Sequence, residues 1–322
     1  MPRPTSATTI QRPDLGAIAY EYNQEASQRG FIGLALLPLF DVPEQSADYP
    51  KIPLEALIKL QDNRRAPRGN YGRSDYEFET GTYACKEYGW EEPVDDVEAR
   101  LYRRYFDAEE VAAKRCVDIN LRGQETRIAA MLFNANNFTV ADVAIAWSTA
   151  ATAVPKANVD AGKDAMRLAS GLLPNALAMS LKVFNTVMRT AEIKDVLKYT
   201  NPIEMSGFEA QKQMMAKYFG VDQVLVGNAI KDTAKKGQAA SLGDIWDDEY
   251  CGLFKVSAGG ADLRDPCLGR TFLWTEDSPN NLVTEQYREE QKRSNIYRVR
   301  HNVDECLVFA GAGYLLGNII HP

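Results

Sequence analysis

The chemistry available to this 322-residue chain would have to be built from two histidines, five dispersed cysteines and a short run of carboxylates. A histidine base must stand within hydrogen-bond reach of a nucleophile. His321 lies in an apolar tail next to the last residue, and no residue marks itself as a partner for it or for His301. Cys85, Cys116, Cys251, Cys267 and Cys306 are odd in number and form no CxxC pair, so zinc and disulfide frameworks lack support. Reduced thiols buried as small apolar groups are the expected state. Asp244, Asp247, Asp248 and Glu249 flank Trp246 and have the donor type for magnesium or calcium. The alternating ligands and central glycine of a calcium loop are missing, and an acidic solvated turn is the simpler reading. Gly311-Ala312-Gly313 with Gly317 fails the dinucleotide spacing, and Ser257-Ala258-Gly259-Gly260 lacks the lysine of a phosphate loop. No catalytic, metal or cofactor set emerges, and no enzymatic activity is expected.

The net charge is -7, from 37 basic and 44 acidic residues, which argues against a protein that grips nucleic acid. It leaves room for one that encloses nucleic acid. The longest apolar runs, Phe31–Phe40 and Leu307–Ile320, fall short of the ~20 residues of a membrane helix. The N-terminus has no apolar signal core, so a soluble, unsecreted protein without a membrane partner is expected.

The elements that would position these residues centre on one stretch. From Pro93 to about Phe133 there is no further proline and a single glycine, Gly123. Asp95 followed by Glu98 resembles a capping box, and apolar or small residues recur at Val97, Leu101, Tyr105, Ala108, Ala112, Cys116 and Ile119. A very long helix is expected, with a bend or break at Gly123, where glycine costs up to about 1 kcal/mol relative to alanine. Before it, Gln61–Arg73 carries Arg64, Arg65, Arg68 and Arg73 beside Pro67, Gly69 and Gly72, the composition of an exposed loop tip. Asp41–Pro50 is expected to be a loop, and Tyr76–Cys85 alternates as a strand or hairpin. Residues 1–29 are polar and aperiodic, a tail or an arm that orders against a partner. After the helix, Phe138–Trp147 has helical spacing. Helices over 160–170, 183–188, 193–199 and 208–219 then alternate with strands over 176–181 and 221–226, a compact α/β lobe. Residues 231–243 read as a loop, and the last third is strand-rich.

This order of parts resembles the major capsid proteins of tailed bacteriophages, with their Hong Kong 97-like coat fold. The stretches that carry the resemblance are Tyr83–Asp95, Ala169–Ser180, Ile193–Tyr199, Tyr218–Val221 and Asp244–Asp247. It implies an α+β fold with an N-terminal arm (1–45), an extended loop (46–93), a peripheral domain with a spine helix (94–150), an axial α/β domain (151–265) and a return to the peripheral domain (266–322). It also implies hexamers and pentamers of the chain itself, tiling an icosahedral shell around double-stranded DNA that is not read by sequence. Scaffold, portal and decoration proteins are possible partners. The location would be the virion, and the host cytoplasm before assembly. In such a shell the loop tip must cross a neighbour. Arg64, Arg65, Arg68 and Arg73 are then candidates for an inter-subunit contact, with Glu91, Glu92, Asp95 and Asp96 as acidic partners and Gly123 as the spine-helix hinge. The loop offers no lysine between Lys59 and Lys86, so the lysine–asparagine cross-link of some relatives is not expected. An encapsulin-type compartment, a tail or portal component and a soluble α+β enzyme stay open as alternatives.

Overall fold

The computed structural model describes residues 10–11, 30–51, 53, 58–65, 67–73, 79–102, 107–198, 207–235, 237–257 and 265–320. Most of the arm, Tyr76–Phe78 and the glycine pair at 259–260 lie outside these residues.

One sheet is built on a single long strand, β14 (Ser294–Leu307). It pairs antiparallel with β5 (Lys86–Asp95), β13 (Val283–Glu289) and β12 (Gly269–Trp274). Beyond these, β1 (Ile10–Gln11) adds to β13 and β2 (Leu39–Val42) runs parallel to β12. Alternation along β14 sends Tyr297, Val299 and His301 to one face and Arg298 and Arg300 to the other. On the first face lies helix α3 (Ala108–Leu132), opened by Asp107, whose side chain accepts from Glu109 N. Cys116 and Val117 pack against Val299, and Asn120 donates to the Val299 carbonyl.

The expected single helix from Pro93 is corrected here. Pro93–Asp95 belong to β5 and pair with Ser294–Ile296. A short helix, α2 (Asp96–Tyr102), follows, with Asp95 Oδ1 accepting from Val97 N, and α3 begins afresh at Ala108. Val97 and Leu101, expected on the buried stripe, are exposed. The break expected at Gly123 is not there: α3 is continuous through it.

The second sheet has the order β6 (Thr139–Asp142), β15 (Gly313–Gly317), β11 (Cys251–Phe254), β7 (Ala176–Ser180), β8 (Gln223–Gly227). Every residue of β7 and β11 is buried, because helices cover this sheet. These are α4 (Pro155–Ser170), α5 (Leu181–Met188), α6 (Ala191–Lys198) and α7 (Phe208–Phe219). Ser180 caps α5 through Val183 N, while left-handed Gly171 and Gly220 end α4 and α7. Residues 139–142 are a strand rather than the helix their spacing implied. Strand pairing overrides the local period there.

Sheet membership cuts across the expected boundaries at 150 and 265. Both β6 and β15 belong to the lobe's sheet, so the chain's end returns to the axial region. Within 1–45, the short helix α1 (Gly33–Leu36) and β2 are part of the body. Within 46–93, β3 (Ser46–Lys51) and β4 (Glu79–Ala84) form a separate antiparallel ribbon, whereas β5 is in the large sheet. Residues 231–243, read as a loop, contribute to a second small ribbon of β9 (Ile230–Asp232) and β10 (Leu242–Asp244).

Candidate assembly surface

The ribbon's base is fixed by aromatic packing. Tyr83 stacks on Phe272 with ring centroids 4.6 Å apart, Tyr49 and Phe40 lie on the same ring, and Asp304 Oδ2 accepts from Ala84 N at 2.9 Å. Burial beside Cys306 and Asp304 pushes the Tyr49 hydroxyl up to about 12. The connection from Lys51 to Glu79 is far longer in sequence than the 2–5 residues of a normal hairpin loop.

The four arginines all stand exposed on this loop. Arg65 is held within it, donating from Nε to the Gly69 carbonyl at 2.7 Å and lying 4.6 Å over the Tyr71 ring. Arg68 sits at φ 66, the left-handed region. Asp62 Oδ1 accepts from Arg64 N, tightening the turn.

The proposed acidic partners are already engaged within the chain. Glu91 bonds Arg298 Nε and Tyr287 Oη, Glu92 pairs with Arg115 at 2.7 Å, and Asp96 takes both terminal nitrogens of Arg288 at 2.6 and 2.7 Å. The Arg288 fork holds the Asp96 carboxyl below its usual range. Asp95 caps α2. The acids and the loop arginines are not brought together in one subunit.

Sequence reading missed Glu125. It is buried on α3, and its two oxygens accept from Ile32 N and Gly33 N, both at 2.8 Å, and from Trp246 Nε1 at 2.7 Å. One carboxylate thus ties the start of α1 and the axial region to the spine helix. Burial pushes the Glu125 carboxyl up, against the three hydrogen bonds that hold it down. Its signal was available: Glu125 stands among Leu121, Ile128 and Leu132 on a buried face, where a charge is out of place unless it is bonded. Arg122 extends the joint, pairing with Asp118 and donating to the Ile230 carbonyl.

Potential chemical sites resolve into structure. Asp248 accepts from Ser180 and pairs with Lys182, Asp247 caps Glu249 N, and Glu249 accepts from Asn318 N. Among the described residues no cluster has the make-up of a metal site. Four cysteines are buried and all five thiols are free and pushed up by burial. Among the described residues no helix is long and apolar enough to cross a membrane.

No family model matches the chain. It is 24% identical over 295 residues to the major capsid protein of Burkholderia phage BcepMu, covering 90% of this chain and 91% of that protein. It is similar to the crystal structure of a phage-related protein from Bordetella bronchiseptica RB50, with TM-score 0.71 and 20% identity over 98% of this chain and 99% of the other. A virus-like particle from Pyrococcus furiosus gives TM-score 0.56 at 11% identity, over 94% and 98% of the two chains.

Proposed function

The chain has the Hong Kong 97-like capsid fold, and from that premise we propose that it is a major capsid protein whose hexamers and pentamers close into an icosahedral shell around a phage genome. The observation that carries this is the end-to-end match with a phage major capsid protein, 90% of this chain against 91% of that one. The loop supports it physically. The connection between β3 and β4 carries Leu60, Arg64, Arg65, Arg68, Tyr71 and Arg73 exposed to solvent, a surface free to meet a neighbouring subunit. The role is structural rather than catalytic, and the enclosed DNA is contacted without sequence readout. The loop tip, with Arg64, Arg65, Arg68 and Arg73, crosses to a neighbour. Because Glu91, Glu92 and Asp96 have partners in their own subunit, any bond to them there is shared or exchanged rather than new.

Expression alone, or with a scaffold protein where one exists, followed by sedimentation and electron microscopy tests the proposal. Closed megadalton particles are expected. A stable monomer under every such condition would sink it. The likeness to a virus-like particle supports a second reading, a shell of the encapsulin type that encloses protein. Particles that copurify with a docked cargo peptide and without DNA would favour it.

A further inference from the structure

Three polar side chains are shut beneath α3 without a bond. His301 stands two residues beyond Val299 on the side of β14 that faces the helix, and Thr284 lies opposite Val299 on β13. Gln124 comes one turn after Asn120, which donates to the Val299 carbonyl at 2.8 Å. His301 is 0% exposed, Gln124 1% and Thr284 5%. Both ring nitrogens of His301, both amide atoms of Gln124 and Thr284 Oγ1 have no hydrogen-bond partner among the described residues. A polar atom cut off from water and left unbonded carries its full desolvation cost. Closing this seam is therefore opposed by groups that solvent would satisfy.

The rest of the seam opposes them weakly. Ala112, Ala113, Cys116 and Val117 present small side chains to the sheet, and the Arg115–Glu92 pair has an exposed arginine. Past Gln124 the anchoring changes. Glu125 carries its three bonds, Arg127 is held by Glu305, and Ile128, Leu132 and Phe133 enter a larger core with Trp246 and Phe254. We propose that the first half of α3, residues 108–121, lifts off the sheet and settles back as a unit while the Glu125 joint and the lobe stay closed. Opening brings water to His301, Gln124 and Thr284, and it uncovers Cys116. Helical stretches of under ~15 residues are marginal alone in water, so the released turns fray. The inference goes beyond the capsid reading and does not depend on it.

Two native cysteines report on this opening. Cys116 lies in the seam and Cys251 in the lobe's sheet, and both are wholly buried. Native subunit is treated with iodoacetamide, sampled over time and digested, and mass spectrometry gives an alkylation rate for each thiol. Cys116 should react at least 100-fold faster than Cys251, and equal rates would overturn the proposal. Gln124→Met, Thr284→Val and His301→Phe together replace the unbonded groups by apolar ones of similar size. This variant should slow Cys116 at least tenfold and leave Cys251 unchanged. Thr284→Val alone keeps the local shape and should slow Cys116 at least twofold, a reading that stands even if the triple variant does not fold. An unchanged or faster rate in Thr284→Val would show that Oγ1 is bonded in the native subunit and overturn the proposal. Ordered waters bonded to the three side chains in a high-resolution map would overturn it too.

Discussion

The axial lobe and the seam beneath the spine helix are held by different physics. In the lobe, Val183, Phe184, Val187, Met215 and Phe219 pack with Leu177, Met179 and Leu253 in an apolar core. The seam buries a small apolar cluster, Cys116, Val117, Leu121, Leu282 and Val299, beside polar side chains. Asn120 is bonded to β14, whereas Gln124, Thr284 and His301 have buried side-chain atoms without a hydrogen-bond partner among the described residues. A dry core loses stability in proportion to the volume removed. A polar seam loses it through unmet hydrogen bonds and charge, so it responds to pH and to isosteric changes that a core ignores. The lobe is built to stay one shape, and the seam and its Glu125 joint are where the subunit can be tuned.

The largest effect expected is in the lobe. Phe184→Ala should cost about 3–5 kcal/mol, read as a loss of the unfolding midpoint in urea, because the ring is wholly buried. A loss under 1 kcal/mol would mean that the lobe is as loosely packed as the seam, and the contrast would fail. Glu125→Gln tests the joint next. The amide keeps shape but turns an N–H towards one of three donors, which should cost about 1–3 kcal/mol. A neutral outcome would show that neither the charge nor the second acceptor oxygen of the carboxylate holds the joint.

Acid sharpens the comparison further. Burial, with the nearby Arg127 charge, pushes the His301 imidazole down to about 4. The folded form therefore binds fewer protons than the unfolded chain between that value and the ordinary ~6.5. Stability is full above the upper value and falls as pH drops through the window, by an amount on the order of a few kcal/mol. Glu125 has the opposite sign: its raised carboxyl loses stability as pH rises above the ordinary range. Urea midpoints of wild type and His301→Phe between pH 7 and pH 4 separate the two. The variant should flatten the acid limb, and an unchanged slope would assign it to other groups.

How much of this was legible depends on sequence distance. The lobe's helices and strands could be read locally because Ser180, Gly171 and Gly220 mark their ends. The start of the long helix could not, since Pro93–Asp95 are claimed by Ser294–Ile296, some 200 residues away. The same distance hid the fate of the acids. Glu91 and Asp96 follow charge-rich sequence that looks free, yet β14 and β13 bring Arg298 and Arg288 beside them. The stripe continued correctly from Ala112 to Cys116 but ran outward at Val97 and Leu101, because α2 is a separate helix.

The smallest effect on the subunit is expected at the loop tip, where Arg64, Arg65 and Arg68 would be replaced together by glutamate. Among the described residues they enter no ion pair: the turn at Arg64 is made by its backbone N–H to Asp62, and Arg65 contacts Gly69 and Tyr71 of the same exposed loop. Surface changes of this kind stay within about 0.5 kcal/mol, so the melting of the free subunit should not move. Particles should respond differently. Each exposed ion pair contributes about 0–1 kcal/mol and weakens with salt, but a closed shell repeats the contact at every subunit. The triple variant should give free capsomers or particles that fall apart at lower temperature, and the gap from wild type should narrow as salt rises. Particle counts after heating, taken at low and high salt, provide the measurement. Equal counts at both salts would leave the arginines as solvent-facing charges and place the loop's contact elsewhere.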